Sequence, residues 1–197
     1  MTTDTNGAKF SVALDGLTVR YGAGCPACED AAALTRNRCP VCGSIWAVRD
    51  VSLRVREGES LGIVGESGSG KSTLMRALYL DLAPTAGSYR LSCYRGGGED
   101  AFTVSPQRRR HIRDSLLGMV YQNPHMGLRM FFSSGANVAE KLIAAGSRSV
   151  REMDARTGYL FEHIEIPASR VKEPPRNFSG GMQQRVQIAK AVANNPP

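Results

Sequence analysis

One short segment constrains the fold more than any other part of the chain. Residues 65–72 read Gly-Glu-Ser-Gly-Ser-Gly-Lys-Ser, which fits the pattern G-x-x-x-x-G-K-[ST]. The apolar run at residues 60–64 precedes it, and a helix is predicted from residue 71 to about residue 80. A short, nearly all-apolar run is typical of a strand buried in a parallel sheet. The sequence therefore predicts an α/β fold in which a strand, a glycine-rich loop and a helix follow one another.

The same segment predicts a phosphate-binding loop. Its glycines allow backbone N–H groups to turn inward and form an anion site at a helix N-terminus. Lys71 is expected to reach the terminal phosphates of a nucleotide, and the Ser72 hydroxyl to bind Mg²⁺. The alternative is a glycine-rich turn with a chance lysine. The residues expected to bind the nucleotide here are Gly65, Glu66, Ser67, Gly68, Ser69, Gly70, Lys71, Ser72 and Thr73.

Composition and charge bear on partners and location. Hydrophobic residues make up 42% of the chain and charged residues 22%, as in ordinary globular proteins. The net charge is +7, and the excess lies in residues 101–197, which hold 14 basic and 7 acidic residues against 11 and 11 before them. Such a surface can attract phosphates, nucleic acid or an acidic partner, or be merely solvated. The polar residues 1–15 and the lack of a long apolar window predict a cytoplasmic protein without direct membrane insertion.

Four of the five cysteines form two Cys-x-x-Cys pairs with ten residues between the pairs. They are Cys25, Cys28, Cys39 and Cys42. In a reducing cytosol this pattern fits a metal better than disulfides, and four thiolates favour structural Zn²⁺ over iron. A redox dithiol and unliganded thiols are the alternatives. Cys93, close to Leu91 in sequence, is expected to be a small buried side chain.

Alternating apolar residues predict strands on both sides of the cysteine pairs, at residues 10–21 and 46–55. Residues 22–45 interrupt this pattern, so we interpret them as an insertion in a β hairpin. Further strands are predicted at residues 89–94 and 116–121. Helices are expected at residues 71–80, 106–113, 136–145, 150–163 and 181–193.

A second glycine-containing motif opens the last predicted helix. Ser179, Gly180 and Gly181 are followed by Met182 and two glutamines. A hydroxyl, two glycines and unpaired backbone N–H groups at a helix start form a possible second phosphate-binding end. Ser179 also has a simpler interpretation, because serine is a favoured N-cap residue.

With these two motifs the chain resembles the ATP-binding-cassette ATPases, whose signature reads Ser-Gly-Gly-Gln or a close variant. Met182 departs from that signature. The resemblance implies that Tyr21 stacks on adenine, although a tyrosine at a strand end often only packs. It also implies that Gln122 lies near Mg²⁺ and the attacking water, and that residues 179–181 contact nucleotide. Lys71 and Gln122 would then be the catalytic residues, with Ser72 and Gln122 at the Mg²⁺ ion.

The resemblance also implies an architecture. A nucleotide-binding domain is expected over residues 8–197, with an antiparallel β subdomain and a helical subdomain between Gln122 and Ser179. The four-cysteine insertion would be a small zinc knuckle within it. The ATPases of this family carry an apolar strand ending in Asp-Glu soon after the signature helix, and this chain has no such strand. We therefore expect a C-terminally truncated copy with an incomplete core sheet, which alone neither hydrolyses ATP nor folds stably.

Within the family the chain most resembles the ATP-binding subunits of bacterial carbon-phosphorus lyase systems. The similarity lies in residues 61–73, 123–142 and 165–189. Residues 127–129, Gly-Leu-Arg, are informative, because peptide and nickel importers usually have Ser-Leu-Asn-Pro after the glutamine. The likeness implies a cytoplasmic ATPase in phosphonate metabolism that binds ATP, Mg²⁺ and Zn²⁺ and docks on lyase subunits. It also implies a homodimer or pairing with a second cassette subunit.

Two other hypotheses remain. The chain could energise an oligopeptide or nickel importer. It could also be a zinc-bearing module that binds nucleic acid or protein, which the arginines at residues 108–113 support weakly. We rank nucleic-acid binding below both ATPase hypotheses.

Overall fold

The computed structural model describes residues 10–197, so the first two residues of the predicted domain, 8 and 9, lie outside the described residues. The chain divides into two compact units between Arg109 and Arg110. In chain order the main elements are β1 (Phe10–Tyr21), β2 (Ile45–Arg56), α1 (Lys71–Leu78), β3 (Ala86–Leu91), α2 (Pro106–His111), α3 (Ser134–Ala144), α4 (Val150–His163) and α5 (Gly180–Ala191).

The first unit is built on an antiparallel sheet with the strand order β2-β1-β3. A bulge around Gly16, whose φ is 60°, shifts the pairing between Leu14 and Leu17. The extra residue turns both leucines toward the same face, where both are fully buried. At Gly87 of β3 a Cβ would lie 2.7 Å from Leu17 Cα, so the two strands meet closely there. The predicted antiparallel β subdomain is thereby confirmed.

Helix α1 starts against β2. Gly70, just before the helix, has a left-handed φ of 92°, and a Cβ there would lie 2.0 Å from the Ala47 carbonyl oxygen. Only glycine fits both requirements. Leu74 and Ala77 form the buried face of α1. These contacts fix the start of α1 relative to the sheet.

The predicted parallel strand at residues 60–64 and the predicted strand at residues 116–121 are not formed. Neither residues 60–64 nor residues 117–121 pair with a strand anywhere in the described chain, residues 10–197. Leu61 is 46% exposed and Val64 is 97% exposed. A parallel strand depends on hydrogen bonds from neighbouring strands, and the described residues offer none here. Leu116 instead ends a π-helical turn that follows α2. The core sheet is therefore incomplete, as the sequence predicts.

The second unit has a core between α3, α4 and α5. Each of these helices begins with a serine whose hydroxyl accepts a hydrogen bond from a backbone N–H of the first turn. The caps are Ser133, Ser149 and Ser179. Phe161 and Val186 are fully buried at the centre of the core. None of the helices in residues 10–197 combines the length and apolar character needed to cross a bilayer.

Candidate nucleotide site and cysteine cluster

The phosphate loop is an exposed turn directly before α1. Lys71 folds back over it, because its Nζ donates to the carbonyl oxygens of Gly65 at 2.7 Å and Glu66 at 2.6 Å. Ser69 Oγ lies 3.3 Å from the same nitrogen. No acidic side chain lies in the first turn of α1, so the positive end of the helix dipole is not neutralised. The lysine, the glycine-rich turn and the helix start fit the phosphate groups of a nucleotide.

Tyr21 lies at the end of β1, within reach of α1. Its hydroxyl oxygen is 3.4 Å from Thr73 Oγ1, and the residue is 41% exposed. Ser72, the predicted Mg²⁺ ligand, is exposed in the same helical turn. The structure therefore brings together the predicted base-binding aromatic residue and the helix that follows the phosphate loop.

Gln122 belongs to the second unit and contacts the side chains of α5. Gln184 Nε2 donates to Gln122 O at 2.7 Å and to Tyr121 O at 3.4 Å. The Tyr121 N–H in turn donates to Gln187 Oε1, and Gln187 is buried. The backbone of the predicted catalytic glutamine is thus held by the helix that the Ser-Gly-Gly motif opens.

Lys190 extends this contact by a further turn of α5. Its Nζ donates to Gly127 O at 3.0 Å and pairs with Glu140 Oε2 at 2.8 Å. Arg129 Nε pairs with Glu140 Oε1 at 2.7 Å. Burial works against ionisation of Glu140, but the hydrogen bonds from Lys190 and Arg129 outweigh it and lower the pKa of this carboxyl. We name residues 121–127 the glutamine segment, and it is attached to α5 at both ends.

Ser179, Gly180 and Gly181 form the start of α5. The Ser179 hydroxyl accepts a hydrogen bond from the Met182 N–H at 3.4 Å, so its role as a helix cap is observed. The two glycines are exposed, and a Cβ on either would meet no atom within 4 Å. Contact between these three residues and a nucleotide stays a prediction.

The four paired cysteines converge on one point. All four Sγ atoms lie within 4.8 Å of one another, and the Cys25–Cys39 and Cys28–Cys42 separations are 3.6 and 3.9 Å. Four sulfurs in a tetrahedron at about 2.3 Å from a zinc ion are about 3.8 Å apart. The donor set and its spacing therefore fit Zn²⁺.

The thiols differ in their surroundings. Once Cys42 is ionised, hydrogen bonds from the side chain and backbone of Ser44 stabilise the thiolate and lower the pKa of Cys42 to about 6, which favours the form that binds metals. Burial and hydrogen bonds with the other thiols raise the pKa of Cys25 to about 12. Cys93 lies outside the cluster and is exposed, so the prediction that it is buried is wrong. Leu91, two residues before Cys93, is the buried last residue of β3. Cys93 lies in the turn that follows the strand, where it is exposed.

Sequence reasoning missed the residues that support this cluster. Ser44 accepts hydrogen bonds at its Oγ from the Gly24 N–H at 2.9 Å and from the Cys42 thiol at 3.2 Å. Arg20 lies over the Trp46 ring, 5.2 Å from its centroid. A Gly-Ser pair directly after the second Cys-x-x-Cys is the one signal for Ser44 in the sequence, whereas Arg20 carries none.

The sequence profile described as ABC transporter matches residues 48–197. This chain belongs to that family of ATP-binding-cassette proteins.

Two curated relatives show the range of systems that the similarity covers. The chain is 40% identical over 147 residues to the putative phosphonates utilization ATP-binding protein PhnK of Escherichia coli (strain K12), covering 75% of this chain and 56% of the relative. It is 35% identical over 156 residues to the oligopeptide transport ATP-binding protein OppD of Bacillus subtilis (strain 168), covering 78% and 44%. The chain thus spans about half the length of the curated relatives it matches.

A solved structure gives the same family. The chain is similar to the ATP-binding cassette MJ0796 in its dimeric post-hydrolysis state bound to ADP and Pi, with 30% identity and a TM-score of 0.75. The match covers 94% of this chain and 71% of that one. The predicted cassette fold is confirmed.

Proposed function

We propose that this chain is the ATP-binding and ATP-hydrolysing subunit of a system that serves phosphonate breakdown by carbon-phosphorus lyase. The observation that carries the nucleotide part is the phosphate loop, in which Lys71 is already held at the helix start by Gly65 and Glu66. The nucleotide-binding domain would span residues 8–197, including the insertion at 22–45, whose last residue, Ile45, is the first of β2.

Each site residue has a proposed role toward Mg-ATP. Lys71 contacts the terminal phosphates, and the exposed Ser72 hydroxyl binds Mg²⁺. Tyr21 stacks on the base, and Gln122 orients the attacking water. Residues 179–181 complete the nucleotide site of an opposing cassette, so that the working unit is a homodimer or a pair with a second cassette subunit. The dimeric cassette MJ0796 supports this part of the proposal.

The phosphonate assignment rests on the similarity to the phosphonates utilization protein and on residues 127–129. The lack of a side chain at Gly127 lets this segment lie close to α5, since a Cβ there would be 2.9 Å from the carboxamide carbon of Gln187. Leu128 is buried in the core of the second unit, and Arg129 pairs with Glu140. This stretch therefore packs against α5 and contributes Leu128 to the core of the second unit.

The test is capture of the tagged chain from cells grown on a phosphonate as the phosphorus source, followed by identification of the retained proteins. We expect subunits of the carbon-phosphorus lyase complex. Retention of a membrane permease instead would favour the second candidate, an oligopeptide or nickel importer, which the similarity to OppD supports.

Nucleic-acid binding is a weaker candidate, because internal partners engage the arginines that suggest it. Arg108 pairs with Glu99 at 2.7 Å, and Arg109 donates to the Phe102 carbonyl oxygen at 3.0 Å. Retention on DNA or RNA at low salt would reverse this ranking.

We also propose one structural Zn²⁺ per chain, held by the thiolates of the four clustered cysteines. When bound, the ion supplies folding free energy to the insertion. With all four positions taken by protein sulfur, the site leaves none for a substrate, so its role is structural.

We expect thermal unfolding of the chain to be broad, because residues 60–64 expose Leu61 and Val64 and lack strand partners among residues 10–197. Calorimetry tests this, and one sharp cooperative transition would contradict it.

A further inference from the structure

We propose that the cysteine knuckle, residues 22–44, positions Tyr21 at the nucleotide site, so that metal binding by the four cysteines sets the affinity for the base of ATP. This inference rests on the proposed function, because it requires ATP at the phosphate loop. It concerns only the contact with the base and leaves the phosphate contacts unchanged.

The position of the knuckle in the fold is the first support. Tyr21 is the last residue of β1, and its partner in the β1–β2 ladder is Ile45, the first residue of β2. The knuckle therefore leaves and re-enters the sheet at one residue pair. Any constraint that closes the knuckle acts directly on the pair that holds Tyr21.

Ser44 connects the cysteine cluster with this pair. Its hydroxyl accepts hydrogen bonds from the Gly24 N–H at 2.9 Å and the Cys42 thiol at 3.2 Å, and its carbonyl accepts from the Cys39 N–H at 2.9 Å. A Cβ on Gly22 would lie 2.6 Å from Ser44 Oγ, so the chain on the Tyr21 side passes in direct contact with Ser44. Ser44 thus contacts the second cysteine pair and the turn after Tyr21.

Two arginines tie the base of the knuckle to the strands. Arg20 donates to the Ala23 carbonyl oxygen at 2.7 Å and lies over Trp46. Arg49 lies over the same ring, 4.6 Å from its centroid, and donates to the Glu29 carbonyl oxygen. Among aromatic side chains, tryptophan is the best partner for such a cation–π contact. Arg20 therefore connects β1 with the knuckle, and Arg49 connects β2 with it.

The metal cluster is the interior of the knuckle. Cys28 and Cys39 are 0% and 1% exposed, whereas most of the remaining knuckle residues are exposed. Their regular structure consists of two short 3₁₀ turns, Pro26–Cys28 and Ala31–Ala33, and two isolated β-bridges, Thr35–Arg38 and Arg38–Ile45. A stretch of this length without an apolar core keeps one conformation only if something crosslinks it. Loss of the metal would leave an open loop, and the Tyr21–Ile45 pair would become the frayed end of a hairpin.

Tyr21 connects the knuckle with the proposed nucleotide site. Its hydroxyl lies 3.4 Å from Thr73 Oγ1, in the first turn of the helix behind the phosphate loop, and 41% of the residue is exposed. An exposed aromatic ring stacks on a base more tightly when its position is fixed beforehand, since ordering it on binding reduces the affinity. The knuckle supplies that fixed position.

The experiment compares a ligand that has the base with one that lacks it. Calorimetric titration, below the unfolding transition, measures the affinity of Mg-ATP and of magnesium tripolyphosphate for the zinc-loaded chain and for a Cys25→Ser, Cys28→Ser variant. We expect the variant to bind ATP about tenfold more weakly, the loss of one base–aromatic contact, with unchanged affinity for tripolyphosphate. Tyr21→Ala should reproduce this pattern with zinc retained. Cys93→Ser, outside the cluster, is the matched control and should leave both affinities unchanged.

A second measurement avoids substitution. A zinc-selective chelator applied to the unaltered chain should weaken ATP binding alone, and added zinc should restore it. Equal ATP affinity with and without the metal would overturn the inference, as would a parallel loss of tripolyphosphate binding. Failure of the zinc-loaded chain to bind either ligand would overturn the proposed function, and this inference with it.

Discussion

Replacing Lys71 with alanine is expected to weaken the binding of Mg-ATP by about 10- to 150-fold. The ammonium group is held at the loop by Gly65 O and Glu66 O, and a bound phosphate group would take over these hydrogen bonds. Hydrogen bonds to charged groups contribute about 1.5–3 kcal/mol each, which sets the size of the expected loss. Calorimetric titration with Mg-ATP measures it.

The matched control is Lys172→Ala, which removes an exposed lysine from the second unit. Its affinity for Mg-ATP should equal that of the unaltered chain. Far-ultraviolet circular dichroism should show the same helix content for both variants, because the Lys71 side chain forms its hydrogen bonds within the exposed phosphate loop. An unchanged ATP affinity in Lys71→Ala would refute the assignment of the phosphate loop.

Exchanging Cys25 and Cys28 for serine is expected to remove one zinc ion per chain and to unfold the knuckle locally. Structural zinc sites contribute apparent binding free energies of about 10–16 kcal/mol, more than the stability of many whole domains. Metal analysis by mass spectrometry tests the stoichiometry. Hydrogen exchange tests the folding, with faster exchange expected at Gly24 and Cys39, whose N–H groups donate to Ser44.

Cys93→Ser controls for the loss of a thiol as such, because Cys93 is exposed and lies outside the cluster. It should keep its zinc and the exchange pattern of the unaltered chain. In the double variant, exchange at α1 should remain slow, since Leu74 and Ala77 hold this helix against the sheet. Zinc at full occupancy in the double variant would refute the four-cysteine site.

The elements predicted from side-chain periodicity agree well with the structure. The strands β1 and β2 and the helix α4 start and end within a residue or so of the predicted ranges. These elements bury one face against a neighbour within the same unit, so the apolar pattern alone determines them. Residues 60–64 show the limit of that reasoning. An apolar run indicates which side chains avoid water, but a parallel strand also needs hydrogen-bonding neighbours, which the pattern does not report.

The candidate site was predictable to a similar extent. The phosphate loop and the cysteine cluster follow from short motifs whose residues lie close together in sequence. The contacts of Gln184 and Lys190 with the glutamine segment join residues that are about 60 positions apart and use backbone carbonyl groups as acceptors. Every residue type has a carbonyl group, so no sequence pattern marks these acceptors. The supporting role of Arg20 is hidden for the same reason, because its guanidinium group donates to the Ala23 carbonyl oxygen.

The attachment of the glutamine segment to α5 has a mechanical consequence. Gln184, Gln187 and Lys190 follow one another at intervals of three residues, so they form a single row along the helix surface. The row begins five residues after Ser179, the cap of the helix. Because Ser179 and Gln184 belong to one helix, a shift or rotation of α5 that begins at Ser179 would also displace the backbone of Gln122. A displacement of α5 would therefore move the Ser-Gly-Gly motif and the backbone of Gln122 together.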